Sequence, residues 1–240
     1  MTASTLPIAA YLRIEQDIRI LIDSGAFRPG DRIPTEDELC DKYGVAKMTV
    51  RQGLIRLVAG GVLIRRRGIG TFVAAPKIER AGNRLLGFEE DARAHGVQPS
   101  TEVLARKWAD ATPEEAETLG LSPNVQVLRI DRLRRTDGEP IALNTILLPP
   151  AIGRQMEHLD FGRSLYAHAA ETLEQPVAYA DQRVEAVTAD RNQAALLHVE
   201  DGSALLRVQR VTYLSDGRLL GVTRSHYRGD RYFIALRIER

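Results

Sequence analysis

Lys42 to Ile78 is a stretch of 37 residues with eight basic side chains and no acid. Within it, Lys47, Thr49, Arg51 and Gln52 fall on the side of a short helical pattern away from its apolar residues. Arg65, Arg66 and Arg67 run into Gly68. A one-sided cationic surface attracts phosphate backbones through Coulomb forces and counterion release, and the polar groups beside it can read base edges. The same run also fits an ordinary solvated basic face. A second pair, Arg132 and Arg134, stands two residues apart on a β-prone segment, so both guanidinium groups leave one face and could fork onto a carboxylate or phosphate. Solvation, or pairing with Asp137, Glu139 or Asp216, is the other reading of that pair. No glycine-flanked serine, metalloprotease histidine pair or Walker loop is found, and the histidines are scattered at 95, 158, 168, 198 and 226. We therefore expect no catalytic residue, no metal and no cofactor. Gly68-x-Gly70 lacks the third glycine and the following helix of a dinucleotide fingerprint.

The elements that must carry these groups can be read along the chain. Its 240 residues suit two modest domains, and 44% hydrophobic content can fill their cores. The one cysteine, Cys40, excludes a disulfide framework and suits a small core position. No apolar run is long enough for a membrane span, and no leader pattern is seen, so a cytoplasmic protein is expected. Residues 1–75 hold 11 basic and 8 acidic residues, a net +3, while the rest holds 22 and 24, a net −2. Residues 8–24 read as an amphipathic helix built on Ile8, Leu12, Ile18, Leu21 and Ile22. Thr35 with Glu38 is a capping box opening a helix to about Tyr43. Gly44-Val45 turns the chain into a second helix, about Lys47 to Ala59, with Val50, Leu54, Leu57 and Val58 inward. Two short helices around such a turn make a helix-turn-helix with a recognition helix. Residues 62–64 and 71–73 then form a hairpin, or wing, whose tip carries Arg65, Arg66 and Arg67.

After a polar linker at 76–83 the sequence repeats itself. Ala111, Ala116, Leu119, Leu128, Arg129 and Arg132 recur 78 residues later as Ala189, Ala194, Leu197, Leu206, Arg207 and Arg210. One inserted residue further on, Asp137-Gly138 meets Asp216-Gly217. Each copy reads as strand, short helix, then hairpin, so 84–240 should form an α+β domain with one largely antiparallel sheet and an internal pseudo-twofold. Trp108 takes a strand position and suits the core.

Residues 8–73 resemble the winged helix-turn-helix of GntR-type bacterial transcription regulators, through SGAFRPGDRIPTEDEL, YGVAKMTVRQGL and GVLIRRRGIGTFV. Residues 84–240 resemble the UTRA effector-binding domain of the HutC subgroup, whose fold is similar to chorismate lyase. Its carriers are LLGFEEDARAHGVQPSTEVL, ATPEEAETLGL, VLRIDRLRRTDGEPIAL, Ser164–Tyr166, AYADQRVEA and SHYRGDRYFI. The resemblance implies that Lys47, Thr49 and Arg51 meet the major groove and its backbone, that Arg67 and Gly68 lie at the minor groove, and that Thr35 is near a phosphate. It implies a small-molecule pocket lined by Arg132, Arg134, Ser164, Tyr166 and Tyr227, with Phe88 in a nearby loop and Asn144 where the family often has Glu. The family also often has Glu at Gly221, commonly Ser at Glu89, and usually Arg, Ser and Arg where Asp37, Ala46 and Lys47 stand. The function implied is a DNA-binding regulator, most often a repressor. It would be a homodimer on double-stranded operator DNA, controlled by a small anionic effector such as a sugar phosphate, phosphonate or carboxylate. The alternative is a lyase or hydrolase on a small carboxylate with the N-terminal module as a partner-binding head.

Overall fold

The computed structural model describes residues 9–66, 68–74, 77–81 and 85–238. The chain divides into two compact units, 1–76 and 77–240. In the first, helices α1 (Ala10–Asp23), α2 (Glu36–Tyr43) and α3 (Lys47–Ala59) precede the antiparallel hairpin of β1 (Leu63–Arg66) and β2 (Gly70–Val73). Its core is Ile14, Ile18, Ile33, Leu39, Val50, Leu54, Leu57, Leu63 and Val73, with Cys40 and Val58 packed at its margin. Thr35 caps α2 through the full capping box with Glu38, and Gly44 ends that helix in the left-handed conformation, which glycine adopts without strain. Gly53 lets α3 lie against α1, because a Cβ there would stand 2.9 Å from the Tyr11 carbonyl oxygen. The expected helix at 8–24 is present from Ala10, and Ile8 lies outside the described residues. Arg65 and Arg66 are not at a wing tip: both belong to β1, in register with Thr71 and Gly70. The ladder extends that far because Gly70, at φ 144°, tolerates the backbone that closes it.

The second unit opens with β3 (Ile78–Ala81), which corrects the expected linker at 76–83. Residues 78–81 pair in parallel with β10 (Tyr232–Ala235), and Ile78 is buried with Tyr232. Between them run α4 (Phe88–Ala94), β4 (Pro99–Asp110), α5 (Pro113–Leu119), β5 (Gln126–Thr136), β6 (Glu139–Leu148), α6 (Pro150–Met156), α7 (Leu165–Thr172), β7 (Val177–Thr188), α8 (Arg191–Leu197), β8 (Ala204–Leu214) and β9 (Leu219–Arg228). Six strands form one antiparallel sheet in the order β4-β5-β6-β9-β8-β7, so the two copies of strand–helix–hairpin meet at β6 and β9. The copies agree in fine detail. Thr112 and Asp190, 78 apart, each cap their helix with a capping box, and Gly120 and His198, also 78 apart, each end it at positive φ. Asp137 and Gly138 both take positive φ, as a two-residue hairpin turn requires. Trp108 packs against the main core and donates from Nε1 to Glu157 Oε2 at 2.6 Å. Among the described residues no helix is long and apolar enough to cross a membrane.

Candidate DNA-reading face and effector cavity

Amphipathicity orients α3. Val50, Gly53, Leu54 and Leu57 are buried, which leaves Lys47, Arg51 and Gln52 exposed and Thr49 half-buried. Gly68, at φ 73°, is exposed in the turn between β1 and β2. The cations of this face are not free. Lys47 Nζ donates to Asp37 Oδ1 at 2.6 Å, and the nearby carboxylate holds the Lys47 ammonium above its ordinary range. Glu36 receives Arg65 at 2.7 Å and Arg51 at 3.5 Å, tying α3 and β1 to the first turn of α2. Farther round, Arg56 Nε reaches Glu15 at 2.7 Å. Thr35 is exposed, but its hydroxyl is committed to the capping box with Glu38. Arg67 and the side chain of Arg66 lie outside what the structure describes.

In the second unit a cavity of about 50 Å³ opens on one face of the sheet. Its floor follows from strand register. Arg132 on β5 stands opposite Asn144 on β6, which stands opposite Ser225 on β9; Arg210 on β8 stands opposite Thr223, two residues along from Ser225. A two-residue side-chain period puts all of these, with Arg134 and Tyr227, on the same face. The roof is the segment Leu86–Phe88 together with Ser164, Leu165 and Tyr166 at the start of α7. All seven residues expected at a pocket, Phe88, Arg132, Arg134, Asn144, Ser164, Tyr166 and Tyr227, thus line one cavity. Phe88 is the first residue of α4 and not a loop residue, because Glu90 returns its carboxylate to the Gly87 N–H and starts the helix there. Ser164 is the residue preceding α7, and Tyr227 is stacked on Tyr232 at 3.9 Å, so β10 and β3 support the cavity from behind.

The arginines are neither solvated nor paired with Asp137, Glu139 or Asp216. Arg132, 2% exposed, donates from Nε and Nη2 to Asn144 Oδ1 (3.0 and 2.6 Å) and from Nη1 to the carbonyl oxygens of Phe161 and Arg163 (3.0 and 3.3 Å). Asn144 passes the chain on, donating from Nδ2 to Ser225 Oγ at 2.8 Å. Arg134, 5% exposed, pairs with Glu89 Oε1 at 2.7 Å and Thr101 Oγ1 at 2.6 Å, above the Phe88 ring. Burial lowers the pKa of both guanidinium groups, and for Arg132 the neighbouring Arg134 charge adds to it. The pre-organised positive charge suits an anion. Gly221 does not line the cavity: a Cβ there would meet the Leu147 carbonyl oxygen at 2.4 Å. Sequence reasoning missed Leu86, Gly87, Leu165, Arg210, Thr223 and Ser225. For Arg210 the signal was present, since it is the repeat mate of Arg132.

Comparison with known proteins agrees with this division. Residues 10–73 match "Bacterial regulatory proteins, gntR family", and residues 94–232 match the UTRA domain. The chain is 33% identical over 226 residues to the HTH-type transcriptional repressor NagR of Bacillus subtilis, covering 94% of this chain and 93% of that one. It is 36% identical over 237 residues to the HTH-type transcriptional regulator Rv0792c of Mycobacterium tuberculosis, covering 97% and 87%. Among solved structures, PhnF from Mycobacterium smegmatis superimposes with a TM-score of 0.65 at 29% identity, covering 94% of this chain and 99% of that one. A winged helix-turn-helix with its cations outward, followed by a duplicated α+β unit around a cavity of buried arginines, therefore makes this chain a member of the GntR family of bacterial transcription regulators, a DNA-binding regulator with a UTRA effector-binding domain.

Proposed function

We propose that the chain is a one-component repressor of the cytoplasm. As a homodimer it would bind double-stranded operator DNA and respond to a small anion held in the cavity without turning it over. The three segments would be a reading head at 1–75, a connection at 76–83 that includes β3, and a sensing and dimerising domain at 84–240. Lys47, Thr49, Arg51 and Gln52 enter or flank the major groove, while Arg65, Arg66, Arg67 and Gly68 serve the wing, with Thr35 near a phosphate. A single helix-turn-helix makes few base contacts, and a dimer doubles them over two half-sites. Repression is the sign named for the Bacillus subtilis relative, and we adopt it here.

The observation that carries the effector reading is the cavity itself: Arg132, Arg134 and Arg210 line one small space, each less than a tenth exposed. Such charge is costly to keep from water and is relieved by an anion. A sugar phosphate, a phosphonate or a carboxylate has the chemistry to do so. Binding shifts the population between DNA-competent and DNA-incompetent states by its differential affinity for the two. The head is tested by a salt-titrated mobility shift. Arg51→Ala and Arg67→Ala should each weaken operator binding and flatten its salt dependence by about one phosphate contact. Unchanged binding in both variants would remove the assigned contacts. The sensing unit is tested by Arg134→Gln, which should abolish stabilisation by any anionic effector.

A further inference from the structure

The internal duplication places Arg132 and Arg210 at equivalent positions of the two copies, 78 residues apart, and both reach the same cavity. Their surroundings differ. Arg132 has acceptors for four of its hydrogens, from Asn144 and the carbonyl oxygens of Phe161 and Arg163. Among the described residues Arg210 has one: its Nε donates to Gln182 Oε1 at 2.6 Å, a neutral group. Where copy one has Asn144, the one-residue insertion puts Thr223, whose short side chain cannot fork back onto a guanidinium as an amide oxygen does. Arg210 is nevertheless only 8% exposed, and no carboxylate lies within ion-pair distance of it among the described residues. A guanidinium group offers five N–H donors, so Arg210 brings a buried charge and unclaimed donors to the cavity wall.

The charges also sort by position. Arg132 and Arg134 sit on β5, Arg210 on β8, and three strand spacings, about 14 Å between backbones, separate the two ends of the floor. Glu89 neutralises one charge at the β5 end, leaving about one uncompensated charge there and one at Arg210. We propose that Arg210 is a second anion anchor, and that the effector is a small molecule with two separated anionic groups. One group is held at the Arg132–Arg134 end and the other by the Nη donors of Arg210. Two carboxylates are the simplest form, and a carboxylate with a phosphoryl group shares the chemistry. This rests on the effector reading above.

The test uses the full chain and titration calorimetry with glutarate and adipate, with 3-phosphoglycerate, and with butyrate and glycerol phosphate as one-ended controls. The two-ended anions are expected to bind at least about tenfold tighter than the one-ended ones, the size of one charge-assisted contact. Preference for 3-phosphoglycerate over the dicarboxylates would identify the phosphoryl form. Arg210→Gln should erase the two-ended advantage, bringing the two-ended anions down to the affinity of the one-ended ones, and melt no lower than the parent when unliganded. Arg210→Lys, which keeps the charge without the fork, should recover part of the advantage. A lowered unliganded melting point with ligand discrimination intact would make Arg210 merely structural and overturn the proposal. Binding that is lost in Arg134→Gln but unaffected in Arg210→Gln would overturn it while leaving the effector cavity standing. No binding of any of these anions to the parent would overturn both.

Discussion

In the first unit Lys47, Arg51 and Arg65 lean outward onto two acids at the start of α2, and the closest pair, Lys47 with Asp37, has side chains 56% and 78% exposed. In the second unit Arg132 and Arg134 are sunk beneath α4 and the start of α7, and carbonyl oxygens, an amide and a single carboxylate hold them. The same residue type does two different jobs. Exposed pairs contribute about 0–1 kcal/mol each and exchange readily for other anions, which suits the proposed exchange for a string of phosphates. A buried guanidinium with fixed acceptors keeps its direction before any ligand arrives, and so loses little freedom on binding one.

The widest separation between the two units should appear in stability. Arg132→Ala strands Asn144 Oδ1 and the Phe161 and Arg163 carbonyl oxygens in a buried place, at about 1–3 kcal/mol for each buried polar group left unsatisfied. After partial relief from removing a buried charge, a net loss of about 3 kcal/mol is expected for the second unit. Arg65→Ala, which removes an exposed partner of Glu36, should cost the first unit less than about 1 kcal/mol. Urea unfolding of both variants measures this, and equal losses would erase the contrast.

A smaller effect of about 1 kcal/mol separates the capping of α2 from that of α3. Thr35 closes a complete capping box, whereas Ala46 gives α3 no side-chain cap. Thr35→Ala should lower the stability of the first unit by about that amount. It also predicts a pH signature. Backbone and side-chain hydrogen bonds from Thr35 hold the Glu38 carboxyl below its ordinary pKa. A depressed carboxyl stabilises the fold above its unfolded pKa, and that part is lost as pH falls through the folded value. Stability of the parent should therefore decline below about pH 4.5, and Thr35→Ala should decline less steeply there. Identical acid limbs for the two proteins would show that the Glu38 carboxylate contributes nothing through the cap.

How much of this was readable beforehand depended on whether the signal was local. The capping box at Thr35–Glu38, the helix at Lys47–Ala59 and the two copies of strand–helix–hairpin rest on neighbours a few residues apart, and they stand where the sequence put them. The stretch from Lys42 to Ile78 is free of acid along the chain but not in space. Glu36, Asp37 and Glu15, all outside it, fold back onto its cations. Strand β3 lies within a stretch that reads as linker, because its partner β10 lies about 150 residues away and no local pattern announces such a parallel pair. The cavity was legible at Arg132 and Arg134 through resemblance. Glu89 as the counter-ion of Arg134 was not, since α4 meets the sheet only in three dimensions.

The smallest expected effect is the most direct probe of the exchange. Glu36 bridges Arg51 on α3 and Arg65 on β1, and under the proposed DNA contacts it would compete with phosphate for both cations at once. If the pairs are only held in store for DNA, Glu36→Gln removes that competition, and non-specific duplex binding should tighten by about fivefold at low salt, or just under 1 kcal/mol. The gain should shrink as salt is raised, because exposed pairs are screened over a Debye length of about 10 Å at 0.1 M. If Glu36 instead aims Arg51 and Arg65 at the groove, the same variant weakens binding and does so more for operator than for random duplex. Titrating both duplexes across the same salt range separates the two, and the second outcome would mean that this surface is pre-organised after all, as the cavity is.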